Sequence, residues 1–168
     1  QTCALPISMP RVRGVGGSAR FNASRFDIAI DSGGLGDLRV GSSKVALYAL
    51  DTDVEMAAID VLVTGPLRQQ FDLVDQPPLG YLKKIDLKVD DFSGQAATQL
   101  ALKFPLAKNL KVDQIDVLAT AEVSDFSQRK AALGQDASEG KLSVRVDRQG
   151  LDINGQLKLG PTPATVEM

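Results

Sequence analysis

Gly94-Gln95-Ala96-Ala97-Thr98-Gln99-Leu100-Ala101-Leu102-Lys103-Phe104-Pro105-Leu106 decides the fold class. Ala96, Leu100, Leu102, Phe104 and Leu106 fall on one side of a two-residue period, with Gln95, Gln99 and Lys103 on the other. A strand projects successive side chains to opposite faces, so this period predicts a long strand with one dry face.

The same period recurs outward along the chain. Upstream, Ile59, Val61 and Val63 share a face within Val54–Thr64, ahead of which Asp51-Thr52-Asp53 reads as a turn. Before that, Leu38 and Val40, then Val45 and Leu47, predict one strand kinked at Gly41-Ser42-Ser43. Ala19, Phe21 and Ala23 alternate, the phase slips, and Phe26, Ile28 and Ile30 continue, which predicts a bulge inside one strand. Ser32-Gly33-Gly34-Leu35-Gly36 reads as a turn. Downstream, Ala107-Lys108-Asn109 turns the chain, and Ile115, Val117, Ala119, Ala121 and Val123 share a face. Leu142, Val144 and Val146 pair with Leu151 and Ile153 across Asp147-Arg148-Gln149-Gly150, a hairpin pattern. Pro161 and Pro163 bound a last extended piece. Ser127–Glu139 reads as a polar connection with a helical turn at Gln128–Leu133.

One region breaks the period. Thr64-Gly65-Pro66 can open a helix, and Leu67, Phe71 and Val74 stand at i, i+4 and i+7, a single apolar stripe. Pro77-Pro78 ends it, Leu79–Lys84 predicts one more helical turn, and Ile85, Leu87 and Val89 predict a further strand. A helix this short must dock on something, as a packed element or as a lid. The expected fold is therefore mainly β, with long antiparallel strands whose one dry face must close into a barrel, pack on a second sheet or hold something apolar. One or two short helices fall near residues 66–84.

Composition narrows the chemistry. The 168 residues include no His, no Trp and one Cys. That excludes His-dependent nucleophilic catalysis, His-ligated metals and an intrachain disulfide. Of 21 acidic residues 17 are Asp, which favours turns over helix interiors. A net charge of −2 gives no basic excess for phosphate backbones, so no nucleic-acid partner is expected. Neither an enzyme activity nor a cofactor is expected.

The motifs that resemble chemistry have plainer readings. Gly14-Val15-Gly16-Gly17-Ser18-Ala19 matches the dinucleotide fingerprint but precedes strand alternation, not a helix. Asp51, Asp53 and Glu55 have calcium-loop spacing, but Met56 stands where the loop needs Gly. Asp90 and Asp91 are adjacent and would point to opposite faces of a strand. Ser42-Ser43-Lys44 falls in the kink without an evident oxyanion site. Asn22-Ala23-Ser24 is a glycosylation sequon. Gln1–Ile7 is what a sequencing-adapter oligonucleotide encodes in one frame, so residues 1–7, Cys3 included, are expected to be an adapter artefact outside the fold, the alternative being a natural N-terminus.

Long alternating strands, Asp60-Val61-Leu62-Val63-Thr64-Gly65-Pro66-Leu67, Leu73-Val74-Asp75-Gln76-Pro77-Pro78-Leu79-Gly80-Tyr81, Gly94-Gln95-Ala96-Ala97, Phe104-Pro105-Leu106 and Gly150-Leu151-Asp152-Ile153-Asn154-Gly155 occur in that order. This pattern resembles the YhdP-type domain of the AsmA-like superfamily of Gram-negative bacteria. The resemblance covers nearly everything after Ser8 and rests on spread-out patterns, with no invariant site. It implies that residues 8–168 are a single β-rich segment of a larger periplasmic protein, anchored in the inner membrane by a helix elsewhere. It also implies a strongly curved sheet forming an open hydrophobic groove or half-barrel, a non-enzymatic conduit that carries phospholipid acyl chains toward the outer membrane. Ile59, Val61, Val63, Ala96, Leu100, Leu102, Phe104, Val117, Ala119 and Val144 are the expected groove lining, and Leu67, Phe71 and Val74 the lid or docked helix. The alternative is a periplasmic or surface β-sandwich that binds protein partners or serves structure. An outer-membrane barrel is disfavoured by the scarcity of aromatic residues for girdles.

Overall fold

The computed structural model describes residues 12–75 and 91–168. They form ten strands: β1 (Arg13–Phe21), β2 (Arg25–Leu35), β3 (Leu38–Val40), β4 (Ser43–Tyr48), β5 (Met56–Pro66), β6 (Phe92–Pro105), β7 (Asp116–Ala132), β8 (Gln135–Val146), β9 (Leu151–Leu159) and β10 (Thr162–Glu167). Helix α1 (Leu67–Asp75) follows β5. The chain is mainly β. All described strand pairs are antiparallel and belong to one sheet, in which each strand lies beside its sequence neighbour. β3 and β4 share one position between β2 and β5, so the sheet is nine positions wide.

The expected kink separates β3 from β4, and Ser43 patches the ladder there. Its hydroxyl donates to the Gly41 carbonyl (2.8 Å) and accepts from the Leu62 N–H (3.1 Å), while the Gly41 N–H donates to the Leu62 carbonyl (2.9 Å). The chain thus bends without orphaning backbone groups. The Gly94–Leu106 stretch forms most of β6, and the Asp147–Gly150 hairpin joins β8 to β9 as expected.

Three local expectations are corrected. The phase slip after Phe21 is a hairpin turn between β1 and β2, where the Asn22 side-chain oxygen accepts from the Ser24 N–H (3.0 Å). A turn and a bulge both shift a period-2 pattern, and the Asx contact that separates them is invisible to periodicity. Ser32–Leu35 belongs to β2, and only Gly36, at φ +61°, and Asp37 turn. Ser127–Glu139 is no loop with a helical turn; β7 and β8 run through it to a tight turn at Leu133-Gly134. Asp125, Lys130 and Glu139 there have φ near +50° and the register shifts repeatedly, so bulges scramble the alternation. Pro66 closes β5, and the helix begins one residue later. The expectations for residues 1–7, Leu79–Lys84, the strand at Ile85, Leu87 and Val89, and Asp90 lie outside the described residues, as does the Val74 side chain.

Register sorts the side chains into two faces, because directly opposed residues in an antiparallel pair share one. One row runs Ala19, Ile28, Val45, Ile59, Leu102, Val117. A second runs Val63, Thr98, Ala121, Val144, Ile153, and a third Gly65, Ala96, Val123, Leu142, Gly155, Val166. Across these rows the face carries no charge. Between them, Lys44 opposes Asp60, and Thr64, Ala97, Glu122, Ser143 and Asn154 line up on the other, hydrophilic face.

The strands lie close enough in places to need glycine. A Cβ at Gly155 would collide with the Lys141 carbonyl and approach the Leu142 Cα to 2.8 Å. Gly155→Val is expected to cost about 2 kcal/mol or more through overpacking and to lower Tm by roughly 4–8 °C. Gly34→Ala, whose Cβ would meet nothing closer than 3.9 Å, is expected to leave Tm nearly unchanged. Calorimetry of the two variants checks both outcomes.

Candidate functional site

The candidate site is the apolar face itself. The register places all ten expected lining residues on it: Ile59, Val61 and Val63 from β5, Ala96, Leu100, Leu102 and Phe104 from β6, Val117 and Ala119 from β7, and Val144 from β8. Of these only Ala96 is buried; the other nine are half-buried. Among the described residues no large side chain is fully enclosed, and every described strand belongs to this one sheet. A sheet that hides one face against a second layer encloses large residues there. The described residues supply no second sheet.

Among the described residues, helix α1 covers one end of the strands. Leu67 is 7% exposed and packs with Ala96, Val123 and Leu142, flanked by Phe71, Phe126, Val144, Ile153 and Val166. Phe71, Phe92 and Phe126 form a ring cluster with successive centroids 6.2 and 5.8 Å apart. Exposed apolar side chains occur at both ends: Phe21 (84%) and Leu151 (42%) at the far end, where Ala57 is only 1% exposed, and Leu133 (93%) at the helix-bearing end. Leu67 and Phe71, expected as a lid or docked helix, pack on the sheet over only part of the face.

Two amides fix that helix. The Gln70 Nε2 donates to the carbonyls of Ala96 (2.8 Å) and Gly65 (3.2 Å), and its Oε1 accepts from the Thr98 hydroxyl (2.6 Å). A buried amide among apolar side chains is tolerable only when its donors and acceptor are engaged, as here. Gln69 donates to the Asp37 carboxylate (2.6 Å) and accepts from the Asp37 N–H (3.3 Å), tying α1 to the β2–β3 turn. An apolar stripe alone could slide on an apolar face; these directional bonds set its place. Sequence reasoning missed Gln70, Phe92 and Phe126. The available signal was an amide one position before Phe71 and three after Leu67, inside the stripe.

The opposite face is hydrophilic and carries surface pairs: Arg25 with Asp27 (2.7 Å), Arg148 with Asp116 (2.9 Å), Ser143 donating to Glu122 (2.7 Å), and Gln99 with Asp60. Each contributes little to stability and much to solubility. Two open depressions lie on this face. One, of about 880 Å³, is bordered by Arg39, Thr64, Ala97, Glu122, Lys141 and Asn154; the other, of about 560 Å³, by Lys44, Ala58, Asp60, Ala101, Lys103 and Asp116. Of the residues expected to line a groove, Ala96 also borders the first and Ile59, Leu102 and Val117 the second.

The Asp27 carboxyl is held below its ordinary range by the Arg25 hydrogen bond, and Asp147 by the Gln149 N–H and then Arg145. The Asp147 bond to Gln149 (2.8 Å) closes the β8–β9 turn. The remaining motifs are absorbed by structure. Gly14–Ala19 lies within β1, Asp51 and Asp53 in the β4–β5 connection, and the Ser43 hydroxyl is engaged at the kink. No described helix is long and apolar enough to cross a membrane.

Comparison with family models, with curated proteins and with solved structures finds no match to this chain.

Gln70→Leu leaves two carbonyls and a hydroxyl without their partner and is expected to destabilise by about 1–3 kcal/mol. Thr98→Val should cost less, and the double variant should cost less than the two singles added, as measured by urea unfolding. The depressed Asp147 pKa contributes stability that is complete above the ordinary value of about 3.9. It is lost as pH falls through the lower folded value. NMR titration should find Asp147 below that value, and Asp147→Asn should flatten this part of the acid-stability curve.

Proposed function

We propose that the chain is a non-enzymatic lipid-conduit segment whose uncharged sheet face carries phospholipid acyl chains between the inner and outer membranes of a Gram-negative bacterium. The observation that carries this reading is an apolar face nine strand positions wide with no second layer among the described residues. A soluble domain rarely leaves such a face to water, because contiguous apolar patches are normally occupied. Acyl chains suit it physically. Each methylene removed from water gains about 0.8 kcal/mol. Aliphatic side chains supply that gain without directional bonds, so a bound chain can move along them.

Curvature belongs to the same proposal. At the usual twist of about 20–25° per strand, eight steps accumulate roughly half a turn. The bulges add local bending, and β7 and β9, two positions apart, come within 8 Å between Cα atoms where a flat sheet holds about 9.5 Å. A twisted sheet is a saddle, so depressions on the hydrophilic face are compatible with concavity along another diagonal of the apolar face. The sandwich alternative needs a covering layer that the described residues do not contain, and it would have to come from elsewhere.

The test is photo-crosslinking to a phospholipid with a photoreactive acyl chain. The lipid should label Ile59, Leu102 or Val117. Leu102→Asp should abolish labelling while far-ultraviolet circular dichroism stays native, and Leu118→Asp, on the hydrophilic face, should not. Unfolding of Leu102→Asp with no labelling of the unmodified protein would instead mark an ordinary core.

A further inference from the structure

We infer that, without lipid, this chain self-associates as a dimer with the two apolar sheet faces packed together, so that a second copy and lipid compete for one surface. The self-association goes beyond the conduit reading, while the competition with lipid rests on it.

The area supports it. Helix α1 covers the strand ends around Gly65, Ala96, Val123 and Leu142. Among the described residues about six per strand on average, fewer on β8–β10 and more on β5 and β6, lie beyond that cluster, roughly 20 Å long, across eight strand spacings of about 4.8 Å. That amounts to roughly 750 Å² per copy, or about 1,500 Å² together, within the range of specific stable interfaces. The chemistry supports it too. Pairs opposed across the uncovered part are Phe26 with Leu47, Val45 with Ile59, and Val61 with Leu100, so no charge is desolvated by face-to-face contact. Charges that would discourage self-pairing are absent from these rows.

The helix sets the geometry. It stands on one end of the face and, like a second sheet, needs about 10 Å of depth. A two-fold axis places each copy's α1 beyond the opposite, uncovered end of its partner's sheet, where Phe21 and Leu151 are exposed. Such an arrangement is isologous and closed, so it stops at two.

Sedimentation velocity of the lipid-free chain from micromolar to hundred-micromolar concentration tests this. A species of twice 17.9 kDa is expected. Leu102→Asp should weaken dimerisation about a hundredfold or more by burying a charge, and Leu118→Asp should leave it unchanged. Because Leu102→Asp can compromise folding, nitroxides at Leu100→Cys in a Cys3→Ser background provide a second readout. A short inter-label distance in the dimer, lost on adding short-chain phosphatidylcholine, is expected. A monomer at all concentrations, open-ended oligomers, or a dimer with distant labels would each overturn the inference. Lipid bound by a strict monomer leaves the conduit reading standing without the dimer. A face-to-face dimer that takes up no phosphatidylcholine leaves the dimer standing without the conduit.

Discussion

Everything in this molecule depends on strand register. Opposed residues share a face, so one alignment carried across nine positions collects the aliphatic side chains on one side and the charges on the other. Slipping any strand by one residue would put Asp60 or Lys103 among Ile59 and Leu102 and send the aliphatic residues to water. Backbone hydrogen bonds hold the sheet together, but burial decides which ladder forms. The interrupted strand obeys the same constraint. Ser43 keeps the ladder satisfied where β3 and β4 break, and alternation resumes in phase with β5 on both sides of the kink.

A sheet alone leaves its dry face open, and α1 answers that only in part. Leu67 and Phe71 supply contact with Ala96 and its neighbours, whereas Gln70 and Gln69 supply position. This division is economical for a nine-residue helix, which would not hold its shape in isolation. It also explains the uneven burial. Leu38, Leu67, Ala96, Val123, Ala137 and Leu142 are buried at the helix-bearing end of the strands. At the other end Ala57 and Ile115 are buried, while Phe21 and Leu151 stand open to solvent.

The sequence makes the faces legible wherever alternation runs unbroken. Ile59 to Val63, Ala96 to Phe104 and Val117 to Ala121 can be assigned to one surface from their spacing alone, since period-2 order is local. Bulges defeat the same logic. Between Asp125 and Glu139 non-glycine residues repeatedly take φ near +50°, so two paired strands read as a loop. The hairpin at Asn22 escapes periodicity because one side-chain hydrogen bond, not hydropathy, makes the turn. The Gln70 contacts are hidden for a different reason: they join residues 26 and 28 positions apart, and only the fold brings them together. Whether a dry face is covered is likewise a property of the assembled sheet and cannot be read from any one strand.

The central claim is that acyl chains occupy one face of the sheet and not the other. Methyl NMR with a phospholipid carrying a nitroxide on its acyl chain tests it most directly. Methyl signals of Ile59, Leu102 and Val117 should broaden strongly, with those of Leu62 and Leu118 on the hydrophilic face little affected. Equal broadening on both faces, or none on either with the native spectrum retained, would contradict the account.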